Sequence, residues 1–215
     1  MKAILKTFFF SSLSLSFLLS IFQYPSHAAA RLPRPAPGKF QNRWAVFHPF
    51  AALKLLKHKA FADSMYSSVK NTSVLDKYEN GGQLDAYRHI FTMAFFSRYV
   101  AVRKLRKLGK AHEKDNYRQF LKACKEEQEL PDSLGSVMDL LNNETGFTLF
   151  TFSRENHPRL LSEKVMQLIK AGKAIIMKRD AQGRYLDCNG HPLTETHFKI
   201  KSWSLPKCLV ASDVK

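Results

Sequence analysis

The chain of 215 residues lacks the short motifs that identify the common enzyme classes. It has no Gly-x-Ser-x-Gly elbow, no phosphate-binding P-loop, no Gly-x-Gly-x-x-Gly dinucleotide loop and no His-Glu-x-x-His zinc helix. It also lacks a Cys-x-x-Cys pair, so we do not expect a structural zinc site built from thiolates. Any activity must come from an arrangement of side chains that these motifs do not describe.

Only one apolar stretch approaches the length of a membrane span, and it lies at the N-terminus. Lys2 and Lys6 precede the apolar residues 7–22, and a proline and small residues follow. That order is typical of a signal peptide, which we predict over residues 1–28. A span needs about 20 apolar residues, and an uncleaved anchor is the alternative. We therefore expect an exported protein, periplasmic or secreted, with no transmembrane helix in its mature chain.

Cysteine is scarce, and its placement predicts one disulfide. Cys188 and Cys208 lie 20 positions apart near the C-terminus, whereas Cys124 lies among apolar neighbours on a predicted helix. Exported chains meet an oxidising compartment. We expect a Cys188–Cys208 disulfide, and the odd count leaves Cys124 as a buried free thiol.

Acidic residues are few: 18 Asp and Glu against 34 Lys and Arg give a net charge of +16. Loss of Lys2 and Lys6 with the signal peptide would leave +14, since 16 − 2 = 14. Such a field favours anionic partners, here an envelope lipid or a cell-wall polymer. No nucleic-acid-binding signature accompanies the basic run at 98–110, so nucleic acid is not expected as a partner. We interpret that run as a solvated helix face followed by a loop.

Apolar residues recur at helical spacing through most of the mature chain. Helices are predicted over residues 51–68, 83–107 with Gly109 as the stop, 110–130, from 132 or 133 to about 146, and 162–171. A strand-like run at 173–179, a turn at 180–183 and a second run at 184–188 predict a hairpin. The fold class is therefore mainly α. After a Pro-rich linker at 29–39, residues 40–215 should form a single helical domain with a small C-terminal β-hairpin.

Polar side chains interrupt three of the apolar helical segments. They are Asp85, Arg88 and His89 in the first, His112 and Glu113 in the second, and Asp139, Asn142 and Asn143 in the third. Burying such groups is costly unless they find partners. Residues three and four apart share a helix face, so each segment can turn a polar face inward. We expect the three faces to meet in one polar site.

The residue types favour acid–base or metal chemistry. Asp85, four positions before His89, can orient the ring for proton transfer or stand behind a metal. The candidate catalytic residues are Asp85, His89, His112, Glu113, Asp139 and Asn143, and the substrate-binding candidates are Arg88 and Asn142. A divalent metal, zinc or another first-row ion, would use His89, His112 and Asp139. Because neighbours on a helix diverge, His112 is expected to face the site and Glu113 to pair outside it.

Two functions of different classes fit these features. The first is a hydrolase that cleaves ester or phosphodiester bonds in an envelope lipid or polymer. The second is a non-catalytic envelope-binding or structural module, in which the basic surface is the function and the polar residues form a satisfied buried network.

Three short motifs follow one another along the chain. They are Gly82-x-x-Asp85-Ala86-Tyr87-Arg88-His89, Ala111-His112-Glu113 and Met138-Asp139-Leu140-x-Asn142-Asn143-x-x-Gly146. Together they resemble an uncharacterised bacterial domain family, DUF6973, whose exported or wall-associated members carry a DAFRHA, AHE and MDLHNNxxG pattern. The resemblance covers about residues 78–190 and departs at Tyr87, where Phe is usual, and at Leu141, where His is frequent. It implies a common helical fold and a shared site, and it implies no reaction.

Overall fold

The computed structural model describes residues 38–123, 130–153, 157–199 and 202–214. The predicted signal peptide, residues 29–37 of the predicted linker and Cys124 lie outside the described residues. Lys39, the last residue of the predicted linker, already begins the first helix.

The described chain forms seven helices and two short strands, which confirms the mainly α class with a small antiparallel sheet near the C-terminus. The helices are α1 Lys39–Phe47, α2 Pro49–Lys70, α3 Gln83–Phe96, α4 Val102–Ala123, α5 Ser133–Ser153, α6 Pro158–Lys170 and α7 Glu195–Lys199, and the strands are β1 Ile175–Met177 and β2 Leu209–Ala211. None of the helices within the described ranges combines the length and the apolar character that crossing a bilayer requires.

Helix α3 lies at the centre of the domain. Every side chain from 84 to 96 except Arg88 is buried, and the helix contacts α2, α5, α6 and β1. Tyr87, Phe91 and Phe95 stack in a row with ring centroids 5.4 and 5.7 Å apart. A helix that is apolar all round packs on every side. Polar groups carried by α3 are therefore buried as well.

A close crossing joins α3 to α5 at Gly146. A Cβ atom at Gly146 would lie 2.5 Å from the Ile90 carbonyl oxygen and 3.1 Å from Cβ of Met93. Only a residue without a side chain lets the two backbones approach this far. Helix α5 therefore runs through Gly146 to Ser153, whereas the sequence predicted its end near Gly146.

The predicted helix over 83–107 is wrong, because the chain forms two helices there. Helix α3 ends at Phe96 and α4 begins at Val102. Between them the Ser97 hydroxyl donates to a carbonyl of the last α3 turn at 2.7 Å. Gly109, the predicted stop, lies inside α4, where a Cβ atom would stand 3.0 Å from the Asn143 amide nitrogen. The glycine makes room for a neighbouring helix and does not end its own.

The small sheet pairs strands that are distant in sequence. Strand β1 runs antiparallel to β2 with Ile176 opposite Val210. The predicted partner segment, 184–188, contributes only isolated bridges, one of them between Arg179 and Tyr185. The C-terminal segment pairs with β1 along its whole length, and the Lys178 backbone amide extends the pairing by donating to the Cys208 carbonyl.

The predicted Cys188–Cys208 disulfide is present, with an S–S distance of 2.11 Å. It holds the segment that contains Lys207, whose buried ammonium group contacts the Asp132 carboxylate at 2.5 Å. The other oxygen of Asp132 accepts the Gly135 backbone amide at 2.9 Å. Asp132 therefore caps α5, which begins at Ser133, within the start predicted at 132 or 133.

We predict that Gly146→Ala lowers the free energy of unfolding by about 1–3 kcal/mol, the usual cost of overpacking a close contact. The control is Gly135→Ala, because the nearest atom to a Cβ there is the mobile end of Met177 at 3.5 Å. Gly135→Ala should stay within about 0.5 kcal/mol of the parent or be more stable. Urea unfolding followed by circular dichroism measures both, and equal losses would contradict the close crossing.

Candidate functional site

A pocket of about 280 Å³ opens between α3, α4 and the first half of α5. The residues that matter for its chemistry are Arg88, His89, His112, Asn116, Ser136 and Asp139. The three helices on which the sequence predicted polar faces therefore border one pocket. Their polar side chains differ in burial and in hydrogen-bond partners.

His89 stands between two carboxylates. Its Nε2 atom lies 3.2 Å from Oδ1 of Asp139 and 3.6 Å from Oδ1 of Asp85. Its Nδ1 atom lies 3.2 Å from the Oδ1 atom of Asn143. That amide oxygen can only accept, so Nδ1 donates, and the Nε2 lone pair of the neutral ring accepts from the Arg88 guanidinium at 3.3 Å.

The His89 ring is neutral at physiological pH. Burial and the nearby positive charge of Arg88 lower its pKa to about 4, against the smaller opposing effects of Asp85 and Asn143. A neutral imidazole beside two carboxylates forms no ion pair with them and is able to bind a metal ion. Asn143, predicted as catalytic, acts on His89 and orients its ring.

Asp85 is held from two directions. The Gly81 backbone amide donates to Oδ2 at 2.7 Å, and the Arg88 guanidinium donates to Oδ1. Gly81 has a φ of +75°, a conformation that glycine adopts without strain. The Asn-Gly-Gly loop before α3 thus serves to aim one backbone amide at the carboxylate.

Two buried carboxylate oxygens, Oδ1 of Asp139 and Oε1 of Glu113, accept no hydrogen bond of good geometry within the described residues, although the Ser136 hydroxyl lies near enough to Glu113 to lower its pKa. Burial, aided by the charges of Asp85 and Glu113, raises the pKa of Asp139 well above its usual range. Burial also raises the pKa of Glu113 to about 7. Buried polar groups are nearly always satisfied in native proteins. Two such oxygens at one site need a proton or a cation.

Glu113 does not pair outside the site as the sequence predicted. It is more buried than His112, and its Oε2 atom accepts the Asn116 side-chain amide at 2.9 Å. Both adjacent residues therefore point inward, His112 to the pocket and Glu113 toward the wall formed by Asn116 and Ser136. Two adjacent residues can both point inward because the buried face of α4 is wide enough to include both positions.

His112 is held by helix α1. The Gln41 side-chain nitrogen lies 2.6 Å from Nδ1 of His112, and since that nitrogen only donates, the neutral ring carries its proton on Nε2. Burial and the charges of His89 and Arg88 lower the pKa of His112 to about 3. The carboxylate of Asp115 fixes α1 in place by accepting the Gln41 backbone amide at 2.9 Å.

Asn142, predicted to bind a substrate, lies elsewhere. It is fully buried, and its side chain bonds both backbone groups of Ile175: Nδ2 donates to the carbonyl at 2.8 Å and Oδ1 accepts the amide at 3.0 Å. These two bonds use its amide to tie α5 to β1. The structure thus corrects the substrate-binding prediction, because Asn142 contacts β1 whereas Asn143 contacts His89 on α3.

Sequence reasoning overlooked three residues of the site. Asn116 is three positions after Glu113 and Ser136 is three before Asp139, so helical spacing could have found both. Gln41 lies 71 positions from His112, and no local sequence pattern predicts a contact between them.

The arrangement fits a metal ion on a different set of ligands from the predicted one. Asp85, His89 and Asp139 each offer an atom, and these atoms lie within 4.8 Å of one another. Two ligands about 2.1 Å from a tetrahedral ion stand roughly 3.4 Å apart, close to the 3.2 and 3.6 Å found here. Asp85 thus takes the place that His112 had in the prediction. Leu141, where relatives often have histidine, is 45% exposed, so its identity does not remove a ligand from this group.

The raised pKa of Glu113 makes a prediction about stability. Between its ordinary value of 4.5 and about 7, the unfolded chain releases a proton that the folded chain keeps. This group therefore makes the free energy of unfolding fall as the pH rises through that window. The Glu113→Gln variant should lack this decrease in the free energy of unfolding. Its free energy of unfolding relative to that of the parent should therefore rise by on the order of 2 kcal/mol between pH 4.5 and 7.

Urea unfolding at several pH values, with a chelator present, measures that difference. The matched control is Glu144→Gln, because Glu144 is exposed and its hydrogen bond to Arg106 lowers its pKa. The control should gain no stability over the parent as the pH rises. Parallel pH profiles for Glu113→Gln and the parent would show that Glu113 ionises normally.

Residues 42–173, more than half of the chain, match the family described as Domain of unknown function (DUF6973). The match starts earlier than the resemblance at 78–190 suggested, and it includes α2 to α6 and most of α1 while it leaves out both strands. No curated protein and no solved structure matches the chain. The polar pocket therefore lies within the matched helices, and the chain belongs to the DUF6973 family, a domain whose function is unknown.

Proposed function

We propose that this protein is a hydrolase of ester bonds, with phosphodiesters favoured, and that it works with a divalent cation held by Asp85, His89 and Asp139. One observation carries the proposal: Oδ1 of Asp139, a buried oxygen with no hydrogen-bond donor within the described residues, lies 3.2 Å from Nε2 of His89 beside the pocket. The Nε2 atom already meets the Arg88 guanidinium at 3.3 Å, so the carboxylate oxygen needs a proton or a cation of its own. A satisfied structural network would leave no such oxygen.

The local charge supports a cation over a proton alone. Asp85, Glu113 and Asp139 are all buried. The charge of Asp85 raises the pKa of Glu113 and that of Asp139, and the charge of Glu113 raises the pKa of Asp139 further. Arg88 is the one guanidinium that contacts this group among the described residues. One divalent ion would balance the remaining carboxylates, and His89, being neutral, adds a nitrogen ligand without repelling it.

The remaining side chains have distinct chemical roles in hydrolysis. A bound divalent cation supplies Lewis acidity and a more acidic water. Glu113, whose pKa is about 7, can accept a proton near neutral pH. His112 is neutral with its proton on Nε2, so it can donate a hydrogen bond to a developing oxyanion. Water then attacks the phosphorus or carbonyl centre and gives a proton to Glu113. The bond from that centre to the alkoxide oxygen breaks, and the alkoxide takes the proton from Glu113 and leaves as the alcohol.

The substrate class follows from charge. The Arg88 guanidinium borders the pocket, and guanidinium and a divalent cation together suit a phosphate oxygen better than a neutral ester carbonyl. The net charge of +16 attracts anionic substrates over distance. These features favour a phosphodiester in an anionic lipid or polymer of the cell envelope.

The proposed place of action is outside the cytosol. The Cys188–Cys208 disulfide supports this proposal, because disulfides persist in oxidising compartments. It agrees with the signal peptide expected from residues 1–28.

We predict that the protein binds one Zn²⁺ or Mn²⁺ ion per chain and that Asp139→Asn weakens this binding about 100-fold or more, since it removes a ligand. Turnover of bis(p-nitrophenyl) phosphate should fall about 10²- to 10⁴-fold in the same variant. Calorimetric titration and the chromogenic assay measure the two effects.

Asp63→Asn is the matched control, because Asp63 lies on α2 and pairs with Lys59 at 2.5 Å. It should bind metal and turn over substrate like the parent. If Asp139→Asn binds metal as the parent does and differs only by a higher free energy of unfolding, the carboxylates form a structural network and the proposal is wrong.

A further inference from the structure

Four apolar side chains are exposed where α1 ends and α2 begins. Val46 and Phe47 close α1, Phe50 and Leu53 open α2, and their exposed fractions are 58, 67, 80 and 53%. Only His48 separates the two helices. These four side chains are called the α1–α2 corner below. Contiguous apolar surface of this kind marks an interaction site in soluble domains.

Basic side chains surround the α1–α2 corner. The Arg43 guanidinium lies 5.7 Å from the centroid of the Phe47 ring. On α2, Lys54 and Lys57 are exposed at four and seven positions after Phe50, which places them on the same helix face. Burial lowers the pKa of His48, and so do the charges of three cations on α4, namely Lys104, Lys107 and Arg103. The corner thus sits between two rows of positive charge.

No carboxylate offsets these charges along the two stretches that build the corner. The sequence contains no Asp or Glu from 38 to 62 or from 86 to 112. Within the basic run of α4, Arg106 is engaged by Glu144 at 2.6 Å. Lys104 and Lys107 lie close enough to the corner for their charges to lower the pKa of His48. The basic run at 98–110, which the sequence predicted to be a solvated helix face, therefore lies beside the α1–α2 corner.

We propose that the α1–α2 corner is a docking surface for an anionic lipid bilayer, with Phe47 and Phe50 entering the interface and Lys104 and Lys107 contacting headgroups. The proposal concerns the surface alone and does not depend on the chemistry of the pocket. Its partner is a bilayer rather than a soluble polyanion because all four side chains that make up the corner are apolar and exposed. A polyanion would leave them in water, whereas the interface of a bilayer buries them and attracts the cations around them.

The test is co-sedimentation of the full chain with vesicles of phosphatidylglycerol and phosphatidylcholine. Lys104→Gln with Lys107→Gln should lower the partition coefficient about 25-fold, at about fivefold for each lysine near an anionic surface. Phe50→Ser should lower it about tenfold through lost apolar burial. Binding of the parent should fall with added salt, and vesicles of phosphatidylcholine alone should bind weakly.

The controls match the variants in chemistry and exposure. Phe152 on α5 is 83% exposed, so Phe152→Ser removes an equally exposed ring elsewhere. Lys170→Gln with Lys173→Gln removes the same charge near the end of α6. All variants share residues 1–37, so any contribution of that segment is common to them.

Selective loss in the corner variants supports the proposal. Equal loss in the controls shows that only total charge and hydrophobicity matter, which overturns it. Unchanged binding in the corner variants also overturns it and assigns vesicle binding to residues 1–37. If the corner variants lose affinity for single-stranded DNA or heparin and keep their affinity for vesicles, the surface binds a soluble polyanion and the lipid proposal is wrong.

Discussion

The close crossing of α3 and α5 at Gly146 is the constraint on which the polar pocket depends. The Ile90 carbonyl lies where a side chain at Gly146 would begin. This crossing sets Asn143 one turn and Asp139 two turns before the contact, opposite His89 on α3. Gly109 makes the equivalent allowance on α4, where Asn143 packs against its backbone. Two glycines on two helices thus set the spacing of a site that neither of them lines.

Such proximity has an energetic consequence. Helix α3 is buried on nearly all sides, so the charges that it carries cannot turn to water. Asp85 is compensated by a backbone amide and by Arg88, whereas Asp139 and Glu113 each retain a buried oxygen that accepts no hydrogen bond of good geometry within the described residues. A fold optimised for stability alone would have satisfied or removed them. Asp139 borders the pocket and Glu113 lies behind Asn116 and Ser136, which line it, so a bound cation or substrate could offset the cost of their desolvation.

The sequence predicted the helical class and the polar faces because both depend on spacing of three and four residues. It misjudged the ends of helices because it treated Gly109 and Gly146 as stops, and a glycine that ends a helix looks the same in sequence as one that admits a neighbour. It could not find the Gln41 contact with His112 or the Asn142 contact with Ile175, which join residues 71 and 33 positions apart. Those contacts decide which of the predicted polar residues lie beside the pocket, and spacing along the sequence carries no information about them.

The charge of the whole chain and the charge of its pocket have opposite signs. A net charge of +16 draws anionic material to the surface, yet Asp139 borders the pocket and the carboxyl groups of Asp85 and Glu113 are buried beside it. An anion attracted by the surface would be repelled at the pocket unless a cation intervened. The Arg88 guanidinium borders the pocket but also donates to Asp85 and His89, so its single positive charge does not outweigh the carboxyl groups of the site. The two charge distributions are compatible with one function if a divalent ion joins the buried carboxylates to an anionic substrate, and this is why the ligand set matters more than the basic surface for deciding what the protein does.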